Sequence, residues 1–545
     1  MSESRRVNTY LWEERCPLLV ILGFFIISCF LVSPLRNVPI IDDWGYVISV
    51  EKLIQTGHLF IPDSSSTQAI AQILWGAIFA LVFGPTFGVL RLTTVLLAII
   101  ACIALYLTLR ELGMDRWRSL LGALMLAVSP VFFLLSFSFM TDVPFLSMMN
   151  LAVLCYIAGL KRDKPSYLWL GGLFASASFL IRPVGLAIPL ALLPCLITRK
   201  GGWPKLRAQL IPFFASLVSL GFLWLWLWKV VGRTGVINSR WEGIRYWFLV
   251  SPGAYFDWNL DLLFRLSFWV FPLLIAALSF KPKWWPLAIA VLAVVGALLW
   301  HWRFGEFAAP WPAEGEVWSM NELGLTRNLI QGKFTAPGPM QRFSWPAILL
   351  MIVSTAIFVV GTAYAGFKAR GRISKPTILL ITLGLLQVAI INALWFYHDR
   401  YYLVLLPIFI CLSLKLTLQT RFSKVVALSG IILLSFVSIS GTWDALRFNQ
   451  ACLDAFNELR SKGVPIADID VGYSLTAWTL YVHPENLPPG ETPAEDAPWV
   501  TSGKELPYVI SNTPLPGHEI IKEISWRGSL WAVSNRIYVL HKQEK

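Results

Sequence analysis

Charge is what this chain has least of. Only 14% of its 545 residues are Asp, Glu, Lys or Arg, while 56% are hydrophobic. That balance excludes a water-soluble globular protein, which at this length needs far more polar surface to cover its apolar side chains. Cysteine is also scarce. Six of the seven, Cys16, Cys29, Cys102, Cys155, Cys195 and Cys411, fall in or beside apolar runs, and Cys452 stands alone in the tail, so no disulfide framework is implied. The sequence has no Cys/His spacing of a zinc site, no GxxxxGK[ST] and no GxGxxG opening a helix. ATP-driven transport and nicotinamide chemistry therefore have no support. The tail and outer loops lack an N-x-Ser/Thr acceptor with permitted neighbours, which favours a bacterial envelope over a secretory organelle.

Long apolar runs are what the chain has in plenty. Their lengths give about thirteen membrane spans, at 17–35, 89–109, 119–138, 143–160, 166–182, 184–198, 208–228, 263–280, 284–301, 344–366, 376–396, 401–418 and 425–443. No small-residue cleavage site follows the first run, so it reads as a retained helix rather than a signal peptide. The net charge of +13 lies in the short gaps between runs and reads as a topology signal, with no nucleic-acid partner implied. If Arg5 and Arg6 face the cytoplasm, the basic stretches 110–118, 161–164, 199–207, 281–283, 368–375 and 415–424 all fall inside, as the positive-inside rule requires. Counting 68–83 as a further span would turn every later loop over. That stretch instead reads as a helix lying in the outer surface, ended by Gly84-Pro85.

The expected fold is thus an all-α polytopic membrane protein, N-terminus inside and C-terminus outside, with a small extracytoplasmic α/β domain at its end. The transmembrane part covers 1–443, with outer loops at 36–88, 231–262 and 303–343. The tail, 444–545, changes composition sharply: a helix over 444–462, a turn-rich 487–499, and strands over 508–511 and 536–540. No internal repeat is evident.

This topology delivers a set of polar residues to one membrane face. Asp42 and Asp43 follow the first span, and a carboxylate pair is costly there without a use. Solvated loop or an N-cap for a helix over 46–55 explains them equally well. Asp142 lies in the short turn between the third and fourth runs, where it or Thr141 has a capping explanation too. Arg91 opens the second run, Arg182 separates the fifth and sixth, and His398-Asp399-Arg400 joins the eleventh and twelfth. A single Arg in such a place is usually a snorkelling anchor. Three carboxylates and several cations on one face suggest a site.

In this order, Asp42-Asp43-Trp44 after the first span, a surface helix, Arg91, a basic inner loop, Ser129-Pro130, Asp142-Val143-Pro144-Phe145 and a late His398-Asp399-Arg400-Tyr401, the chain resembles the GT-C superfamily of membrane glycosyltransferases. It resembles in particular the relatives of the protein O-mannosyltransferases and of the aminoarabinose transferase that modifies lipid A. The resemblance implies inverting transfer of a sugar from a polyprenyl-phosphate donor to an acceptor outside. It places the first-loop acidic position on Asp42, with Asp43 where many relatives have Glu, and the second-loop acidic position on Asp142. Which of Asp42 and Asp43 is the base stays open.

The chemistry asks for such residues independently. A sugar phosphate already carries a good leaving group, so the reaction needs a base for the acceptor hydroxyl and cations for the departing phosphate. Arg91, Arg182, His398 and Arg400 are the candidates for the phosphate. The lipid-linked donor is a co-substrate rather than a resident cofactor, and the carboxylates either act alone or share a divalent ion. The expected partners are a polyprenyl-phosphate sugar, membrane lipid, and a glycan, lipid or protein acceptor; the expected place is a bacterial inner membrane with the site on the outer side. Two other readings compete. A transporter would put ionisable residues deep in the spans and related halves in the sequence, and a non-catalytic scaffold would keep the fold without the chemistry.

Overall fold

The structure is a computed structural model, and it describes residues 3–197, 203–232, 234–235, 237, 252–277, 289–296, 345–369, 373–393, 399–416, 421–490, 506–511, 513–528 and 536–543. The outer loop expected at 303–343, half of the one at 231–262, most of the run at 284–301, and His398 lie outside the described residues.

The chain is predominantly helical and is a multi-pass membrane protein. Seven described helices are long and apolar enough to cross a bilayer: Glu14–Val32, Phe87–Glu111, Asp142–Arg162, Arg207–Val231, Leu349–Gly366, Lys375–Asn392 and Ser423–Ser461. The pair Arg116–Val128 and Pro130–Ser136, bent by 67°, makes an eighth if counted as one span. Several expected runs are interrupted. The one at 166–182 is the 17-residue helix Pro165–Ile181, which Arg182-Pro183 ends; the one at 263–280 breaks at Val270; and the one at 401–418 begins as the 3-10 turn Asp399–Leu405.

The bend at Ser129-Pro130 has a plain cause. Proline has no N–H and cannot continue the helical ladder, so carbonyls before it lose their partners. In a membrane such a group must be satisfied by protein. The Ser438 hydroxyl, on the neighbouring Arg421–Ser461 helix, donates to the Val128 carbonyl at 2.7 Å.

The basic stretches expected inside are tied together at one end of the bundle. Buried Glu14 accepts hydrogen bonds from the Tyr106 hydroxyl and from Arg110 Nε (3.0 Å), with Arg116 at 3.7 Å. Glu111 pairs with Lys161 and Arg162, and Gln209 donates to Asp163 at 3.0 Å.

At the opposite end lie helix Asp43–Thr56, helix Ile70–Phe83 and the tail. A four-stranded sheet closes the chain, in the order β1-β2-β4-β3, with β1 Ile469–Asp470, β2 Tyr508–Ser511, β3 His518–Ser525 and β4 Arg536–Lys542. β1 runs parallel to β2, and the other pairs are antiparallel. Cys452, Phe456, Ile469, Ile510 and Val539 form its core, and Val38 of the loop after the first span belongs to that core as well. The helix expected at 444–462 is not a separate element. It continues Arg421–Ser461 without a break, so the expected boundary at 443/444 falls inside one helix. The described cysteines are all free.

Candidate active site

The site is built where the first span ends. Helix Asp43–Thr56 starts between the two aspartates, and this separates their surroundings. Asp43 is wholly buried, and its Oδ1 accepts the Ile40 backbone N–H at 2.8 Å. Its partner is Arg91, also wholly buried, at 3.5 Å. Arg91 in turn donates to the carbonyls of Arg36 (2.7 Å) and Val38. The pair therefore fastens loop 36–43 to the Phe87–Glu111 helix. Burial pushes the Asp43 carboxyl up to about 6, opposed by Arg91 and by the backbone of Ile40 and Phe139. That Phe139 contact reaches the turn before Asp142, to which Gln72 also donates, at the Phe139 carbonyl, 2.7 Å away.

Asp42 faces the other way. Its side chain is 28% exposed and its Oδ2 accepts from Arg400 at 2.8 Å. It occupies the N-cap position but makes no capping hydrogen bond, so the capping explanation does not describe it. Arg400 is buried and senses Asp142 as well. Burial disfavours its charge, but Asp42 and then Asp142 hold its pKa above the ordinary value.

Asp142 opens helix Asp142–Arg162 and is almost completely buried. Arg182 pairs with it at 2.9 Å and fixes its own Nε on the Thr141 hydroxyl at 2.7 Å. Thr141, at the N-cap, makes no capping bond either. The structure thus brings Asp42, Arg400, Asp142 and Arg182 to one end of the bundle, and it places Asp43 with Arg91 in the wall beside them. Among the described residues, no group of three or more His, Cys, Asp or Glu side chains is arranged to hold a metal. Each carboxylate has a guanidinium partner instead.

A sequence profile of the dolichyl-phosphate-mannose-protein mannosyltransferase family matches residues 71–228. This stretch is mannosyltransferase-like. It bears out the GT-C resemblance read from the sequence. No curated protein matches the sequence. Among solved structures, the chain is similar to ArnT from Cupriavidus metallidurans bound to undecaprenyl phosphate, at 10% identity over 97% of this chain and 98% of that one, with a TM-score of 0.47. It is also similar to the Archaeoglobus fulgidus oligosaccharyltransferase tethered with an acceptor peptide, at 13% identity over 81% of this chain and 57% of that one, TM-score 0.44. The AglB oligosaccharyltransferase of the same organism, in complex with an inhibitory peptide and a dolichol-phosphate, gives 15% identity, 81% and 58%, and 0.44. The chain spans a little over half the length of these oligosaccharyltransferases.

The mannosyltransferase-like stretch holds Arg91, Asp142 and Arg182; Asp42, Asp43 and Arg400 lie outside it. What joins the two sets is tertiary. One contributor escaped the sequence reading: Asp261, whose Oδ2 accepts the Tyr402 hydroxyl at 3.1 Å and whose two oxygens hold Arg265 Nε at 2.9 and 2.8 Å. It anchors the turn that carries Arg400. The Asp261/Arg265 spacing of four within an apolar stretch was the available signal.

Proposed function

We propose that the chain is an inverting glycosyltransferase, moving one sugar from a polyprenyl-phosphate donor to an acceptor at the outer face of a bacterial inner membrane. The observation that carries this reading is the pair Asp42–Arg400, an accessible carboxylate held by a buried cation, with Arg182 and Asp142 at the same end. The family match over 71–228 supports it, since that family is described by its polyprenyl-type dolichyl-phosphate mannose donor. With this reading go the N-in, C-out topology with about thirteen spans and a transmembrane module followed by an outer tail.

Asp42 is the base. It takes the proton of the acceptor hydroxyl as that oxygen attacks the anomeric carbon from the side opposite the phosphate. The anomeric carbon–oxygen bond breaks, and its electron pair leaves on the polyprenyl phosphate, where Arg182 and Arg400 meet the added charge. The products are an inverted glycoside and polyprenyl phosphate. The resting Asp42–Arg400 contact has a role in this. At 2.8 Å, Arg400 holds the Asp42 carboxylate in place. When the donor phosphate engages Arg400, that one guanidinium lies between the phosphate and Asp42, so donor and base are brought together by a single cation. Arg91 is a clamp of the loop in this scheme rather than a phosphate ligand, and Asp142 orients Arg182 and the acceptor.

The test begins with envelopes of a strain lacking the protein, which should accumulate one polyprenyl-linked sugar identifiable by mass. Purified protein should consume that lipid. Asp42→Asn keeps the shape without the basicity, and it should lose on the order of 10² to 10⁴ in turnover while retaining donor binding. Full activity in Asp42→Asn would sink the assignment of the base, and the absence of any accumulating lipid-linked sugar would sink the reaction.

A further inference from the structure

We propose that Ser474, in the C-terminal tail, is a positioning residue that sets the aim of Asp42; the inference rests on the transfer reaction proposed above. Ile41, the residue before Asp42, has φ 55°. That left-handed conformation is one a β-branched residue adopts only where its surroundings impose it. Upstream, Arg91 holds the carbonyls of Arg36 and Val38, and Asp43 closes a turn on the Ile40 N–H. The Ile41 carbonyl itself is taken by the tail: the Ser474 hydroxyl donates to it at 2.8 Å, across 433 residues of sequence.

The tail segment is well placed to impose a conformation because it is itself fastened. Tyr481 accepts from the Ser64 N–H at 3.3 Å and sets its ring edge-on to Trp44, 5.7 Å between centroids. Trp478 meets Phe87 in the same way at 4.9 Å. Thr476 bonds Asp470 at 3.1 Å and the Val471 N–H at 2.9 Å, joining the segment to β1. Ser474 thus reaches Ile41 from a held support. Without its bond the Ile41 peptide relaxes towards ordinary φ, and the next residue, Asp42, swings away from Arg400.

Hydrogen exchange read by mass spectrometry on the full-length protein in nanodiscs tests the positioning without any substrate. Ser474→Ala should speed exchange in peptides covering 36–48, with little change in the melting midpoint. Turnover of the lipid-linked sugar that accumulates without the protein should fall about tenfold in kcat at constant KM, the scale of one lost hydrogen bond. Ser474→Thr should restore both. Glycine accepts the left-handed conformation without strain, so Ile41→Gly should make position 474 dispensable, and Ile41→Gly/Ser474→Ala should turn over like Ile41→Gly alone. If Ser474→Ala does not fold, this double variant carries the test, and its failure to fold overturns the proposal. Unchanged exchange in Ser474→Ala overturns it too. Faster exchange in a protein whose wild type never consumes the lipid would instead refute the transfer reaction and leave the loop-holding role of Ser474 standing.

Discussion

Adjacent carboxylates usually share an environment, but a helix begins between Asp42 and Asp43 and turns one towards the site and the other into the wall. The buried one has its own pH signature. Its folded pKa of about 6 lies above the ordinary 3.8, so between those values the folded chain binds more protons than the unfolded one. The contribution of Asp43 to stability is therefore full below the unfolded value and is lost as pH rises through about 6. Asp43→Asn lacks this group. Melting midpoints of the two proteins, followed from about pH 4 to about pH 7, should drift against the wild type up to about pH 6 and then run parallel; a constant difference throughout would contradict the raised carboxyl. The partner gives a cleaner contrast. Arg91→Ala strands the buried Asp43 carboxylate and should cost about 3–5 kcal/mol of stability with little effect on donor binding by the folded protein, whereas Arg182→Ala, which strands the buried Asp142, should in addition weaken donor binding, with Lys a poor rescue at a two-point contact. Equal losses of donor affinity in the two folded variants would remove the distinction between clamp and phosphate ligand. The alternation of roles along Asp42-Asp43 was not legible in the sequence, because both residues fit a loop, a cap or a base until the helix start fixes their directions.

At the scale of elements, the close approach of the Phe87–Glu111 helix to the end of the first span decides whether Arg91 reaches its carbonyls. A Cβ at Gly88 would stand 2.7 Å from the Leu35 backbone, which has nowhere to go, whereas one at Gly23 meets nothing within 4 Å. Gly88→Ala should destabilise by about 1–3 kcal/mol, read as a lowered melting midpoint, and Gly23→Ala should leave it unchanged. Spans of this kind were readable because a bilayer demands an apolar run of fixed length. Their ends were harder. Hydropathy falls near 443 and marks the end of an apolar run, but neither proline nor glycine follows Gly441 before Gly463, so the backbone has no reason to stop there and the helix runs on to Ser461. β2 and β4 were anticipated from their apolar runs. β3 was missed, for a physical reason: it is an edge strand exposed on both faces, with an irregularity between Ile520 and Lys522, so no alternation of apolar and polar residues marks it. The contacts of Ser474 and Tyr481 with the first loop left no local signal at all, being made between segments more than 400 residues apart.

For the molecule as a whole, the topology is the assumption on which the site's sidedness depends. A cysteine introduced at the exposed Glu519 of β3 in a cysteine-free background should react with a membrane-impermeant maleimide in cells whose inner membrane is intact. Labelling only after that membrane is opened would place the tail, and the site beneath it, in the cytoplasm. The Arg421–Ser461 helix gives this arrangement a further property. Its 41 residues make it about 60 Å long, roughly twice the hydrocarbon thickness of a bilayer of about 30 Å. One end is set in the membrane and the other packs against the sheet, through Cys452, Phe456 and Leu459. Such a helix is a ruler: the height of the sheet above the lipid is fixed by how much of it the bilayer consumes, while the depth of a lipid-borne phosphate follows the lipid. A thicker or thinner membrane shifts one scale against the other, and the protein becomes a gauge of the bilayer it sits in.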